Sequence, residues 1–312
     1  MGRIPAEGGV MLVDKSAGPT SHDVVSSARR ALGIRRVGHT GTLDPFATGL
    51  LLLCVGLATR LAEYFHLLPK SYVASLRLGV ETTTHDGTGR PVSSSGSWRG
   101  LARERVQQVL STFLGELSQR PPAYSAKRIE GRRAHALARE GDRPELEPVG
   151  VRIHALDLVE FEPPHLRLAA RVSTGTYVRA LARDIGHALG CGAHLTELRR
   201  TAIGSFRADQ GVPVGEIRPP AAAESWWCTP AESLDWLPAR ELSEQEVRRV
   251  RFGAAVGEGT LEPGRSPQPD VECAPTDVPL VLLRKGRLVA VARRDGGLLM
   301  PKKVFASPVG AE

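Results

Sequence analysis

The sequence predicts a mixed α/β domain followed by a smaller β-rich unit. Three observations carry this. Between residues 10 and 203, strand-like apolar runs alternate with stretches whose apolar residues recur at helical spacing. The closing stretch, VPLVLLRKGRLVAVARRDGGLLMPKKV, splits into three short strands at Lys285-Gly286 and Asp295-Gly296-Gly297, the pattern of a small β-barrel. The length, 312 residues, suits one large domain and one small one.

Each element follows from its local signals. Val10 to Val13 is a short strand. Thr20 or Ser21 can cap a helix running to about Leu32, with Val24, Val25, Ala28 and Leu32 on one face and Gly33 closing it. Leu50 to Val55 is a continuous apolar run that suits a buried strand but also fits a helix. Ala58 to Leu68 reads as a helix stopped by Pro69. Ser71 to Val80 alternates as a strand, and Thr82 to Arg90 is a polar loop. A helix spans about Ala102 to Leu114 and ends at Gly115.

Gln119 to Pro148 is basic, bounded by proline and poor in large apolar residues, so it reads as an excursion from the core and a binding flap. Two strands follow, near Val151 to Phe161 and Leu166 to Ser173. A helix with Val178, Leu181, Ile185 and Leu189 on one face ends at Gly190, and AHLTELRRTAIGSF returns to strand. A boundary falls between Pro230 and Glu241, dividing residues 1–235 from 240–312. Beyond it, Ser243 and Glu246 form a capping box, and Glu258 to Asp277 is a Pro- and Gly-rich insertion that reads as mobile.

Composition narrows the function. With 41% apolar and 24% charged residues the chain is globular, and its longest apolar run, Gly49 to Ala58, is too short for a bilayer. The N-terminus lacks a signal-peptide pattern, so a cytoplasmic location is expected. Cys54, Cys191, Cys228 and Cys273 are scattered, which argues against a disulfide framework and a cysteine-rich zinc site. His187, Cys191 and His194 read as an ordinary helix end before they read as ligands, so no metal is expected. There is no G-x-G-x-x-G after a strand, no G-K-[ST] loop and no G-x-S-x-G elbow, so nucleotide and serine-hydrolase chemistries lose ground.

The net charge of +7 permits a polyanionic partner. Its placement says more. Arg29, Arg30, Arg35 and Arg36 cluster, Arg199 and Arg200 pair, and Arg120, Lys127, Arg128, Arg132, Arg133 and Arg139 crowd one stretch with Tyr124 and His135 interleaved. Any one cluster is equally well a solvated face, but the three together point to nucleic acid.

The chemistry centres on GHTGTLDPFATGLLLLCVG, where Asp44 sits at the mouth of an apolar run. One reading makes Asp44 a helix cap with Pro45 in the first position. The other makes it a nucleophile or base, and beside apolar walls an ionised carboxylate needs a cation, for which Arg179 is a candidate. Tyr72 and Tyr177 are two of four tyrosines, and each is either core or a platform for an unstacked base.

These stretches together resemble the TruB family of tRNA pseudouridine synthases. GHTGTLDPFATG resembles its catalytic motif. DKSAGPTSHDVV resembles its N-terminal motif, with Ser16 where the family usually has proline. KSYVASLRLG, RPPAYSAKRIEGRRAHALAREG, STGTYVRALARDIG and LGCGAHLTELRRTAIG match in order, and the C-terminal β segment resembles a PUA-type RNA-binding domain. The resemblance implies a pseudouridine synthase fold, with a mixed, mainly antiparallel sheet flanked by helices. It implies isomerisation of uridine to pseudouridine at position 55 in the T loop of tRNA, by a monomer without cofactor or obligatory protein partner. By position, Asp44 falls at the catalytic aspartate, Tyr72 at the tyrosine stacking on the flipped base, and Arg179 at the arginine paired with the aspartate. His39 falls at the histidine that takes the flipped base's place, and Tyr177 and Leu198 fall at pocket positions. Lys15 falls at a motif lysine of structural character. Segment 119–148 matches the T-arm-gripping insert, making Arg128, Arg132 and Arg133 RNA-binding candidates together with Arg199. Arg128 stands at a usual lysine and His135 at a frequent tyrosine, departures that touch RNA contact and not the chemistry.

Overall fold

The computed structural model describes residues 4–122, 128–129, 132–133, 146–221, 224–266, 270–271 and 277–305. The chain divides into two compact units, residues 1–68 with 202–312, and residues 69–201.

The first unit opens with β1 (Gly9–Lys15), α1 (Ser21–Leu32), β2 (Val37–His39) and β3 (Thr48–Val55). β3 pairs antiparallel with both β1 and β2. The run Leu50 to Val55 is thus a buried strand: every side chain in it is screened from water, so the apolar run has no polar alternation to show. Thr20 caps α1, its Oγ1 accepting from Asp23 N at 3.1 Å while Asp23 Oδ2 accepts from Thr20 N at 2.9 Å. This reciprocal cap contributes about 1 kcal/mol. Gly33 ends the helix at φ 65°, in the left-handed region where a side chain would clash. Ala58 to Leu68, expected as a helix, forms two 3₁₀ turns, Gly56–Leu61 and Tyr64–Leu67. Tertiary anchoring overrides the helical pattern there. Arg60 donates to Val304 O at 2.6 Å and Lys303 pairs with Glu63 at 2.8 Å.

The second unit contains β4 (Lys70–Leu78), the short pair β5 (Val80–Thr82) and β6 (Pro91–Ser94), α2 (Arg103–Ser111) and β7 (Gly115–Gln119). A short antiparallel pair follows, β8 (Arg128–Ile129) with β9 (Arg132–Arg133). Then come β10 (Val149–Glu162), β11 (His165–Val172), α3 (Val178–Ala188) and β12 (Ala193–Ile203). Its sheet runs β12-β4-β11-β10-β7, with β4, β11, β10 and β7 antiparallel in succession. α3 packs Val178, Leu181, Ala182 and Ile185 against Ala74, Leu76, Leu168 and Ala170. Strand alternation explains this: in β11, Leu166, Leu168, Ala170 and Val172 turn inward while His165 and Arg167 stay out.

The chain then returns to the first unit. β13 (Phe206–Arg207) pairs with the end of β12, β14 (Val212–Pro213) lies parallel to β1, and β15 (Trp227–Cys228) pairs antiparallel with it. The C-terminal segment holds β16 (Ala239–Glu241), α4 (Glu244–Arg251), β17 (Val256–Gly257), β18 (Leu280–Arg284), β19 (Arg287–Asp295) and β20 (Leu298–Val304). These strands make one curled five-stranded sheet in the order β16-β18-β19-β20-β17, a half-barrel. The β18–β19 turn is Lys285-Gly286 at φ 50° and 73°, two successive left-handed residues that match the twist of a two-residue hairpin. Ser243 caps α4 through the expected box with Glu246. Among the described residues no helix is long and apolar enough to cross a membrane.

Candidate active site

Asp44 lies in the loop between β2 and β3, half-buried. No helix follows it. Pro45 and Phe46 make a turn, closed by Ala47 N donating to Asp44 O at 3.1 Å, and β3 starts at Thr48. The helix-cap reading of Asp44 is therefore wrong: the Asp-Pro pair starts a turn, a role that this dipeptide fills equally well.

That turn is fixed from outside. Lys15, at the end of β1, is fully buried. Its ammonium donates to Ala47 O at 2.7 Å, Ser16 O at 2.9 Å and Pro45 O at 3.2 Å. Gly18 N donates to Pro45 O at 2.8 Å. Ser21, the first residue of α1, is buried and clamps the residue before Asp44 in both directions. Its Oγ accepts from Leu43 N at 2.8 Å and donates to Leu43 O at 3.1 Å. The loop's other end is held by Thr40 N donating to Leu52 O at 3.1 Å, next to His39, which is in register with Leu53. One carboxylate is thus presented on a loop bonded at residues 40, 43, 45 and 47, which is preorganisation at a reacting position. DKSAGPTS and GHTGTLDPFA are one structural unit, the first stretch supplying the bonds that shape the second.

The second unit carries its own polar centre. Arg179 is the second residue of α3 and is 6% exposed. Its Nη1 donates to Thr84 O at 3.1 Å and lies 3.7 Å from Asp86 Oδ2. Asp86, 3% exposed, is held in turn. Its Oδ1 accepts from Thr88 Oγ1 at 2.5 Å, Thr84 Oγ1 at 2.7 Å and Thr88 N at 2.9 Å, and Thr82 Oγ1 donates to its main-chain oxygen at 2.7 Å. A buried guanidinium is thus fixed by a buried carboxylate that Thr84 and Thr88 orient. His85, between Thr84 and Asp86, sits at φ 59°. Burial, then the nearby Arg183 and Arg179, push its imidazole down to about 4, so it stays neutral.

Tyr72 and Tyr177 belong to the same unit and are half-buried. Tyr72 shares a face of β4 with Ala74 and Leu76, the face on which α3 packs. Tyr177 precedes α3, its N–H donating to Gln119 Oε1 at 2.8 Å. Leu198 is buried on β12 and Arg199 is half-buried. Arg200, read as part of a basic surface group, is 2% exposed, because strand alternation turns it inward. Arg128, Arg132 and Arg133 lie on the β8–β9 pair, Arg128 in register with Arg133, and their side chains lie outside the described residues. So do Tyr124, Lys127, His135 and Arg139, and residues 267–269 and 272–276 of the 258–277 insertion.

Sequence reasoning missed Asp86, Ser21 and Gln119. Asp86 had a signal: in TTTHDGTG an aspartate is flanked by threonines two residues away on either side, a spacing for local side-chain bonds. Ser21 and Gln119 act on residues 22 and 58 positions away, which no local pattern reveals.

The family model for the TruB family pseudouridylate synthase N-terminal domain matches residues 29–178, and that for the tRNA pseudouridylate synthase B C-terminal domain matches residues 179–225. The tRNA pseudouridine synthase B of Geobacter sulfurreducens is 40% identical over 293 residues, 93% of this chain and 94% of the relative. That of Solibacter usitatus is 46% identical over 216 residues, 69% of this chain and 73% of the relative. A solved H/ACA ribonucleoprotein bound to a substrate RNA containing 2'-deoxyuridine superposes with a TM-score of 0.72, covering 97% of this chain and 86% of that one. At 22% identity it establishes a shared fold. The chain belongs to the TruB family of pseudouridylate synthases.

Proposed function

We propose that this enzyme converts uridine to pseudouridine at position 55 in the T loop of tRNA, with Asp44 as the essential carboxylate. The pinned turn that presents Asp44 is the observation that carries the reading. Six backbone-directed bonds, from Lys15, Gly18, Ser21 and Thr40, converge on a loop whose one acidic residue is Asp44. The names of the relatives support tRNA as the substrate.

The glycosidic carbon of a folded T loop is inaccessible, so the base must be flipped out, at a cost of a few kcal/mol. In this reading Tyr72 stacks on the flipped uracil, His39 takes its place in the loop, and Tyr177 and Leu198 line the pocket. In this reading Arg179 is the cation that an ionised Asp44 requires. The N1–C1′ bond breaks, the uracil turns, C5 joins C1′, the proton on C5 is removed and N1 takes one up in its place. Asp44 starts this by attacking the sugar or by removing a sugar proton. Atoms and charge balance within the substrate, so the isomerisation needs neither cofactor nor ATP.

Residues 1–235 make the catalytic part in this reading, the 119–148 segment grips the T arm with Arg128, Arg132 and Arg133, and residues 240–312 add a PUA-like RNA-binding part. Arg199 contacts RNA. The enzyme acts as a cytoplasmic monomer without an obligatory protein partner. Carbodiimide labelling and primer extension on an unmodified tRNA transcript test the reading. A stop at position 55 after incubation is expected; no stop, or a stop only elsewhere, would overturn it.

A further inference from the structure

The inserted segment leaves and re-enters the second unit at one point. Gln119, the last residue of β7, is in register with Val149, the first of β10. Both strands reach from there to the stretch that carries Tyr177 and Arg179. From β10, Arg152 and Ser173 exchange bonds: Ser173 N donates to Arg152 O at 2.8 Å, and Arg152 N donates to Ser173 Oγ at 2.7 Å. From β7, Gln119 Oε1 accepts Tyr177 N–H at 2.8 Å. One residue further, Arg120 O accepts from Arg183 Nη2 at 3.1 Å, and Arg183 stands one helical turn after Arg179 on α3.

Gln119 is 3% exposed, so its amide is a built contact and not a surface accident. The Tyr177 N–H belongs to the start of α3, where main-chain donors have no partner inside the helix. Tyr177 offers no side-chain cap, and Gln119 supplies an acceptor from another element.

We propose that Gln119 and Arg183 are positioning residues. They tie the base of the inserted segment to the start of α3, so that RNA held by the insert fixes where Tyr177 and Arg179 stand. This rests on the reading above, in which the insert grips the T arm and Arg179 serves the reaction. It separates two duties that the basic insert alone would merge: holding RNA, which the arginines do, and registering the held RNA with the catalytic arginine, which Gln119 and Arg183 do.

The test measures single-turnover rate at saturating tRNA transcript, tRNA affinity by filter binding, and thermal melting. Gln119→Met keeps the side-chain length and removes the acceptor. Its rate is expected to fall about tenfold to a hundredfold, the cost of a misplacement near one ångström, while affinity changes by less than about threefold. Gln119→Glu keeps the accepting oxygen and should recover most of the rate. Arg183→Met should lower the rate with affinity likewise held, and the double variant should lose less than the product of the two single losses, because both bonds act on one helix end. The proposal is overturned if wild type modifies tRNA and Gln119→Met does so equally fast, if affinity falls by the same factor as rate, or if Glu fails as Met does. A wild type that leaves tRNA unmodified overturns the functional reading and this inference with it.

Discussion

Replacing Lys15 by methionine removes one buried ammonium and leaves a side chain of similar length. Three carbonyls lose a donor. Pro45 O keeps Gly18 N at 2.8 Å, so the bonds at stake are those to Ala47 O at 2.7 Å and Ser16 O at 2.9 Å. Ala47 O is buried, and left without its charged donor it costs about 1–3 kcal/mol. Ser16 is exposed, so water replaces the donor to its carbonyl at little cost, and relief from burying an ammonium offsets part of the loss. A net loss of about 1–3 kcal/mol is expected, concentrated in the loop that presents Asp44. Turnover should suffer further, because a carboxylate displaced by an ångström loses on the order of a hundredfold. Denaturant unfolding at constant m-value gives the first quantity, and the pseudouridine yield of single-turnover reactions gives the second. A Lys15→Met protein that unfolds at the wild-type midpoint and turns over at the wild-type rate would refute the argument that this ammonium shapes the turn.

Further predictions concern the second unit. Asp86→Asn keeps the shape but weakens the buried pair with Arg179, so a loss of about 3 kcal/mol is expected at most, since Thr84 O still holds the guanidinium. Turnover should drop tenfold or more with little change in tRNA affinity; equal losses in both would make the pair a general structural element. His85 gives a pH dependence. Its folded value, near 4, lies below the unfolded one near 6.5, so the unfolded chain binds the proton more readily between them. The stability from keeping His85 neutral is therefore complete above pH 6.5 and is lost as pH falls towards 4. His85→Asn, which tolerates the left-handed backbone, should melt with a shallower fall between pH 7 and 4.5. Parallel melting curves for the two proteins would contradict this.

What was legible in the sequence is what local chemistry decides. Thr20 with Asp23, Gly33, Ser243 with Glu246, and Lys285-Gly286 each act within a few residues, and each forms the cap or turn its type favours. The strand pattern of β11 and the apolar face of α3 were legible for the same reason. The failures are non-local. Asp44 followed by Pro45 suits a helix start as well as a turn, and Lys15, about thirty residues away, selects the turn. The 58–68 stretch has helical spacing but is drawn into 3₁₀ turns by bonds to residues 303 and 304. Arg200 adjoins Arg199 in sequence yet faces inward, because a strand separates neighbours onto opposite sides. Of the site residues that motifs named, Asp44, Tyr72, Tyr177, Arg179 and Leu198 lie among the described residues, while the side chains of Arg128, Arg132 and Arg133 do not. Asp86 had a local signal in its flanking threonines, but its pairing with Arg179, 93 residues on, is visible only in the folded chain.

The central claim is that Asp44 starts an isomerisation. Its most direct test compares wild type with Asp44→Asn on one unmodified tRNA transcript, scoring pseudouridine at position 55 and tRNA binding in parallel. The account predicts modification by wild type and none by Asp44→Asn, with the two proteins binding tRNA alike. Modification by both proteins at similar rates would contradict it and leave Asp44 as a turn residue only.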